Sequence, residues 1–331
     1  MRRRILILIS LIMVIAFGIN AFSLFDPFLA FSATKSSTAR PDTSHSTTTS
    51  KPSASAPSAS APDKSLNTSS YYLINAQNQD ILLAQNETVQ RAPASTVKLL
   101  TGLVAMQSLR EEDVVKVGDE VQMENSTLGL KPGDTILVKD LLTALYLPSA
   151  NDAAVALAVK AKGSVSAFVE AMNQYALQLG CQNSRFQTPN GLPAPDQYTT
   201  AQDLAKIALS FTQHTTLMQY VQKKEGRVEW TTSNNLKKSI IVNNTNEFLS
   251  VYPGVQGLKT GTTTEAGQCL VTYITRTDGN LILVLLGSEN RYKDTKNLLD
   301  QGLAALRTRA ALWNLGSSPE SLIQTPGFFQ P

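Results

Sequence analysis

Ala92-Pro93-Ala94-Ser95-Thr96-Val97-Lys98-Leu99-Leu100 is the stretch from which the rest of the chain is read. It opens an apolar helical run that continues through Thr101-Gly102-Leu103-Val104-Ala105-Met106. Pro93 suits the start of that helix, because the N–H it lacks would have no helical partner in the first turn. Ser95 and Lys98 stand three residues apart and so share a helix face. A lysine among so many apolar neighbours carries a desolvation penalty unless it has a partner, and burial lowers its pKa towards the range where an amine acts as a base. The pair has the form of a Ser-Lys activated nucleophile. Gly102 costs about 1 kcal/mol relative to alanine inside a helix, so close packing against another element is expected there.

Working outward, the histidines leave this pair without a competitor. His45 falls in a low-complexity stretch, and His214 is the only one in the globular part. A Ser-His-Asp mechanism would have to use His214, which sits in Phe211-Thr212-Gln213-His214-Thr215-Thr216 and reads as a helix end, where histidine is common for dipole reasons alone. Of the two cysteines, Cys181 and Cys269, neither has a second ligand at metal-binding spacing, so no metal and no cofactor is expected. Gln268-Cys269-Leu270-Val271 reads as a buried strand, and two buried free thiols are expected, with one disulfide as the other reading for an exported protein. The 331 residues are 42% hydrophobic and carry a net charge of +3, with three arginines at positions 2–4. The near-balanced remainder gives no electrostatic case for a nucleic-acid partner.

Met1-Arg2-Arg3-Arg4 followed by the apolar run from Ile5 to Ile19, which extends to Phe25, has the pattern of an export signal. A span of about 20 residues also crosses a bilayer, with the arginines on the cytoplasmic side. Residues 1–32 are therefore read as a signal peptide or an N-terminal anchor, and both readings stay open. Residues 33–68 are rich in Ser, Thr, Ala and Pro, a composition that buries too little apolar surface to fold, and read as a flexible linker. The bulk of the protein is expected outside the cytoplasm, as one domain over 69–312 with a loose tail at 313–331.

Within that domain, Tyr71-Tyr72-Leu73-Ile74 and Asp80-Ile81-Leu82-Leu83-Ala84 look like a hairpin. A helix from about Val138 to Leu147 is ended by Pro148, and Ser149-Ala150-Asn151 precedes a second helix beginning at Asp152. Polar groups in such a loop either face a cleft or cap the following helix, and local spacing favours capping. A further helix spans Ser166–Leu179. Thr200 with Asp203 resembles a capping box and is read as structural. Strands follow at 257–263, 268–274 and 281–287, joined by short connections that imply antiparallel neighbours, and a helix closes the domain over Asp294–Ala310. Strands at both ends with helices between them predict an α+β fold: an antiparallel sheet built from both ends of the domain around a mostly helical insertion, with the site in a cleft between them.

Ser95-Thr96-Val97-Lys98, Ser149-Ala150-Asn151 and Lys259-Thr260-Gly261, in that order and at a helix start, an interhelix loop and a strand, resemble the active-site set of penicillin-binding proteins and serine β-lactamases. Pro148-Ser149-Ala150-Asn151-Asp152-Ala153-Ala154 and Gly257-Leu258-Lys259-Thr260-Gly261, with Glu265-Ala266-Gly267 behind it, strengthen the likeness. Over roughly 70–312 the chain is similar to low-molecular-mass penicillin-binding proteins of the D-alanyl-D-alanine carboxypeptidase family. The resemblance implies that Ser95 forms an acyl-enzyme, Lys98 takes its proton, and Ser149 relays a proton to the leaving amine. It implies that Asn151 holds the substrate backbone and Lys98. Lys259, Thr260 and Gly261 would hold the terminal carboxylate end, with the N–H groups of Ser95 and Thr262 as the oxyanion hole. Peptidoglycan stem peptides and β-lactam antibiotics are the partners implied, together with the membrane if the N-terminal segment is uncleaved.

Departures narrow this. Class A β-lactamases carry Ser-Asp-Asn and use a glutamate to activate the deacylating water; here the second motif is Ser-Ala-Asn and residues 185–203 contain no glutamate. Relatives often have histidine where this chain has Thr262. The sequence ends at Pro331 without the later β-rich domain and amphipathic anchor of many relatives, so attachment is expected through Ile5–Phe25. The expected activity is a carboxypeptidase acting on stem pentapeptides. A DD-endopeptidase cleaving cross-links, or a non-catalytic wall-binding protein of the same fold, are the competing readings.

Overall fold

The computed structural model describes residues 69–123 and 125–316. The export segment expected at 1–32, the linker at 33–68 and the tail beyond 316 lie outside these residues. The strands are β1 (Ser70–Asn75), β2 (Ile81–Gln85), β3 (Val114–Lys116), β4 (Thr135–Leu137), β5 (Glu225–Thr231), β6 (Lys237–Asn243), β7 (Val255–Thr263), β8 (Gly267–Arg276) and β9 (Gly279–Ser288). The helices are α1 (Lys98–Ala105), α2 (Val138–Tyr146), α3 (Asn151–Lys162), α4 (Val165–Gln178), α5 (Ala201–Thr212), α6 (Thr215–Val221), α7 (Phe248–Val251) and α8 (Arg291–Gly316).

The expected sheet is present, antiparallel throughout in the order β2-β1-β9-β8-β7. The two ends of the domain close it, β1 pairing with β9 from Ser70 opposite Leu286 to Asn75 opposite Leu281. The unbroken apolar run of β9 reflects burial on both faces. Leu281, Leu283 and Leu285 pack with Leu298, Leu299 and Leu303 of α8. Ile282, Val284 and Leu286 point the other way, into the larger core shared with α1, α2 and α5. Alternation with a period of two residues delivers the two sets to opposite faces. The helix α1 is buried along its whole length, which places Ser95 and Lys98 at the junction of sheet and helices. A Cβ on Gly102 would lie 1.7 Å from the Tyr146 hydroxyl, so the expected close packing is there.

Three features differ from expectation. A second sheet, β3-β4-β5-β6, stands within the helical insertion. Its period-two signal is faint, since β5 buries only Val228 and Trp230 and β6 only Val242. The closing helix is longer at both ends than Asp294–Ala310 and runs past 312 to Gly316. His214 follows the end of α5, as expected, its N–H bonded to the Phe211 carbonyl at 3.0 Å, and it also serves as the N-cap of α6, its Nδ1 accepting the Leu217 N–H at 3.4 Å. No side chain of the Ser149-Ala150-Asn151 loop caps α3, whose N-cap is Ala150. Thr200 and Asp203 do form the expected cap, the Asp203 N–H donating to Thr200 Oγ1 at 3.0 Å. Both cysteines are buried and free. Among the described residues no helix is long and apolar enough to cross a membrane.

Candidate active site

A short 3₁₀ turn, Ala94–Val97, delivers Ser95 to the mouth of α1. Ala94 holds φ +48°, left-handed space that a non-glycine residue occupies only under constraint from its surroundings. Lys98 Nζ donates to Ser95 Oγ at 2.9 Å, to Asn151 Oδ1 at 2.7 Å and to the Asn190 carbonyl at 2.8 Å. The amine has no exposed surface. Desolvation, reinforced by the charge of Lys259 and opposed by that of Asp152, holds its pKa well below the ordinary lysine value of 10.5. A neutral amine within hydrogen-bond reach of a serine hydroxyl meets the geometric and electronic requirements of a general base.

Asn190 belongs to a turn between α4 and α5. Its backbone carbonyl faces both Lys98 and Ser95 Oγ, the latter at 3.4 Å. The neighbouring Gly191 has φ +82° and lies so close that a Cβ would sit 1.9 Å from the Ala94 carbonyl oxygen. Only glycine lets this turn close on the nucleophile. Thr101 Oγ1 fixes the same turn through the Pro189 carbonyl at 2.5 Å.

The second motif is held by its helix and by backbone. Asn151 begins α3, its Oδ1 on Lys98 and its Nδ2 donating to the Asn125 carbonyl at 3.0 Å. Asp152 takes the N–H groups of Leu128, Gly129 and Leu130 at 3.0, 2.9 and 3.1 Å, anchoring the segment that covers Asn151. Ser149 holds φ +65° and its buried hydroxyl has no hydrogen-bond partner among the described residues. A buried hydroxyl left unpaired costs about 1–3 kcal/mol, and such a group is poised for a ligand or a transferring proton.

The third motif lies on β7, the edge strand of the five-stranded sheet. Lys259 is buried, its Nζ donating to the Thr260 carbonyl at 3.1 Å. Burial, then the charge of Arg291, brings its pKa down to about 7. The Thr260 hydroxyl pairs with that of Thr245 at 2.7 Å. At Gly261 a Cβ would stand 2.9 Å from the Ser95 nitrogen, so the absence of a side chain is what lets β7 pass the nucleophile. The Arg291 guanidinium bonds the Thr262 hydroxyl and the carbonyls of Gly261 and Cys269, the last two at 3.1 and 3.0 Å. Ser95, Lys98 and Asn151 thus form one hydrogen-bonded group, with Gly261 against its backbone and Lys259 near enough to shift the charge state of Lys98. Asn190, Thr245 and Arg291 are additions that sequence reading missed.

The chain matches the D-alanyl-D-alanine carboxypeptidase family over residues 55–290. It is 32% identical over 249 residues to D-alanyl-D-alanine carboxypeptidase DacF of Bacillus subtilis, covering 72% of this chain and 63% of that one. With D-alanyl-D-alanine carboxypeptidase DacC of Escherichia coli the identity is 34% over 260 residues, covering 74% and 63%. The chain thus spans less than two thirds of the length of these curated relatives. The crystal structure of the Streptomyces K15 DD-transpeptidase superposes with a TM-score of 0.68 at 30% identity, covering 71% of this chain and 96% of that one.

Proposed function

This chain belongs to the D-alanyl-D-alanine carboxypeptidase family, and on that premise we propose that it is a serine DD-carboxypeptidase acting on peptidoglycan stem pentapeptides outside the cytoplasm. The observation that carries the reading is the triple hydrogen bond of a buried, pKa-depressed Lys98 to Ser95, Asn151 and Asn190. Ser95 Oγ attacks the carbonyl of the terminal D-Ala-D-Ala bond while Lys98 Nζ takes its proton. The C–N bond breaks, Ser149 relays a proton to the departing amine, and D-alanine leaves. Water then hydrolyses the acyl-enzyme.

The rest of the site fits this sequence of steps. An extended peptide adds to the exposed edge of β7, its carboxylate met by Lys259 and the Thr260 hydroxyl. The N–H groups of Ser95 and Thr262 receive the developing oxyanion, each worth about 3–4 kcal/mol. A β-lactam ring offers the same carbonyl without a leaving group that diffuses away, so penicillin is expected to acylate Ser95. Incubation with a D-Ala-D-Ala pentapeptide should release D-alanine, and Ser95→Ala should abolish release. No release from folded protein would sink the reading.

The likeness to a DD-transpeptidase favours a second reading, in which an amine replaces water as acyl acceptor. Adding a glycine-ended peptide amine to the assay separates the two: free tripeptide-D-alanine acid marks hydrolysis, and an amine-extended product marks transfer.

A further inference from the structure

A cleft of about 760 Å³ lies in the small second sheet, away from Ser95, between β4, β5, β6, the start of α2 and the end of α6. Its volume is that of a ligand pocket. We propose that it binds a second, mixed-charge peptide strand of the wall polymer whose D-Ala end is cut at Ser95; the inference rests on the peptidoglycan substrate proposed above.

Charge defines the occupant. Lys223, Arg227, Lys237 and Lys238 border the cleft, all exposed, and none forms an ion pair among the described residues. Lys223 stands over the Tyr220 ring at 4.8 Å and Lys238 over Trp230 at 5.5 Å, which holds the ammonium groups at the wall. The acids are held on neutral donors instead. Glu111 accepts from the Tyr220 hydroxyl, Asp140 from the Glu229 N–H at 3.0 Å, and Glu229 from the Ser239 hydroxyl at 3.4 Å. Three carboxylates on the wall oppose a dense polyphosphate, whereas interleaved cations and carboxylates suit a peptide carrying both carboxylates and amines.

The cleft is also tied to the catalytic side. Where the β5–β6 hairpin ends, the Asn244 N–H donates to the Lys224 carbonyl at 2.8 Å, and the next residue, Thr245, pairs with Thr260. A strand seated in the cleft is therefore anchored a few residues from the carboxylate-binding edge. Two linked attachments raise the effective concentration of the scissile end without any new contact at Ser95.

The test compares full-length wild type, an R227E/K238E variant and a control of equal charge change at residues that do not line the cleft, K160E/K162E. Each is assayed on a soluble pentapeptide and on insoluble peptidoglycan stripped of phosphate polymers. The cleft variant should lose about tenfold in kcat/KM on the insoluble polymer, through KM, and stay within about twofold on the soluble peptide, while the control changes neither. Equal loss on both substrates, no loss, or the same loss in the control would overturn the proposal. If wild type cleaves neither substrate, the carboxypeptidase reading fails by itself, and co-sedimentation with the stripped polymer still decides the cleft: wild type should sediment and the variant should not. Sedimentation that appears only when the phosphate polymers are left in place assigns the cleft to phosphate and overturns the peptide assignment.

Discussion

Lys98 is the residue on which the chemistry turns, because burial disfavours its ammonium form while Asn151 and Asn190 take the two N–H groups of the neutral amine, which leaves its lone pair 2.9 Å from the Ser95 hydroxyl. Removing it should cost on the order of 10³–10⁴ in acylation rate, measured as penicillin labelling of Lys98→Ala at fixed time, with the fold intact by circular dichroism. Acylation should also fall on the acid side as Lys98 becomes protonated. Lys259 behaves differently, since its task is to be charged. With its pKa brought down to about 7 by burial and Arg291, its hold on a terminal carboxylate should weaken as pH rises above neutrality, so KM should climb there. Folding stability moves the other way. Between about 7 and its ordinary 10.5, the unfolded lysine keeps a proton that the folded one has lost, so Lys259 contributes a rise in unfolding free energy with pH. Urea titrations at pH 7 and 9 should show that gain in wild type and a smaller one in Lys259→Met. Ser95 and Lys98 were legible because a lysine in an apolar helix needs a reason. Asn190 was not, because it acts through a carbonyl that every residue possesses, and Arg291 was hidden by a helix start placed three residues late.

Among the elements, β7 passes the turn that carries Ser95 because Gly261 has no side chain, and α1 packs on α2 because Gly102 has none. Gly261→Ala forces a methyl to within 2.9 Å of the Ser95 nitrogen, which pushes the edge strand off the nucleophile. The loss should resemble that of an oxyanion donor, about 10²–10³ in acylation rate, with little change in melting temperature. Gly102→Ala acts elsewhere: it displaces Tyr146, whose hydroxyl donates to the Lys98 carbonyl at 3.3 Å. That overpacking should cost about 1–3 kcal/mol in stability, read by denaturant titration. The strand β9 was plain in the sequence because both faces are buried and its apolar run is unbroken, and β8 because its run is broken only by Thr272. The β5–β6 hairpin escaped notice for the opposite reason, with exposed Ile240 and Ile241 and few buried positions to set a period.

Across the whole molecule, the sheet closes only when β1 meets β9, so the site depends on contacts spanning nearly the full domain. Ser95 from the turn before α1, Asn151 from the insertion and Lys259 from the late strands are far apart in sequence and meet only after that closure. The order of the three motifs carried the fold because a helix start, an interhelix loop and a strand are each readable locally. The direction in which each side chain points is set by packing and was not. The mass of the mature N-terminus decides whether the export segment expected at 1–32 is removed. The central claim is an acyl-enzyme on Ser95. It is tested most directly by intact-mass analysis after incubation with penicillin, followed by peptide mapping: one drug-sized adduct on the peptide containing Ser95, absent from Ser95→Ala, is the result expected, and an unmodified protein or an adduct that survives in Ser95→Ala would contradict it.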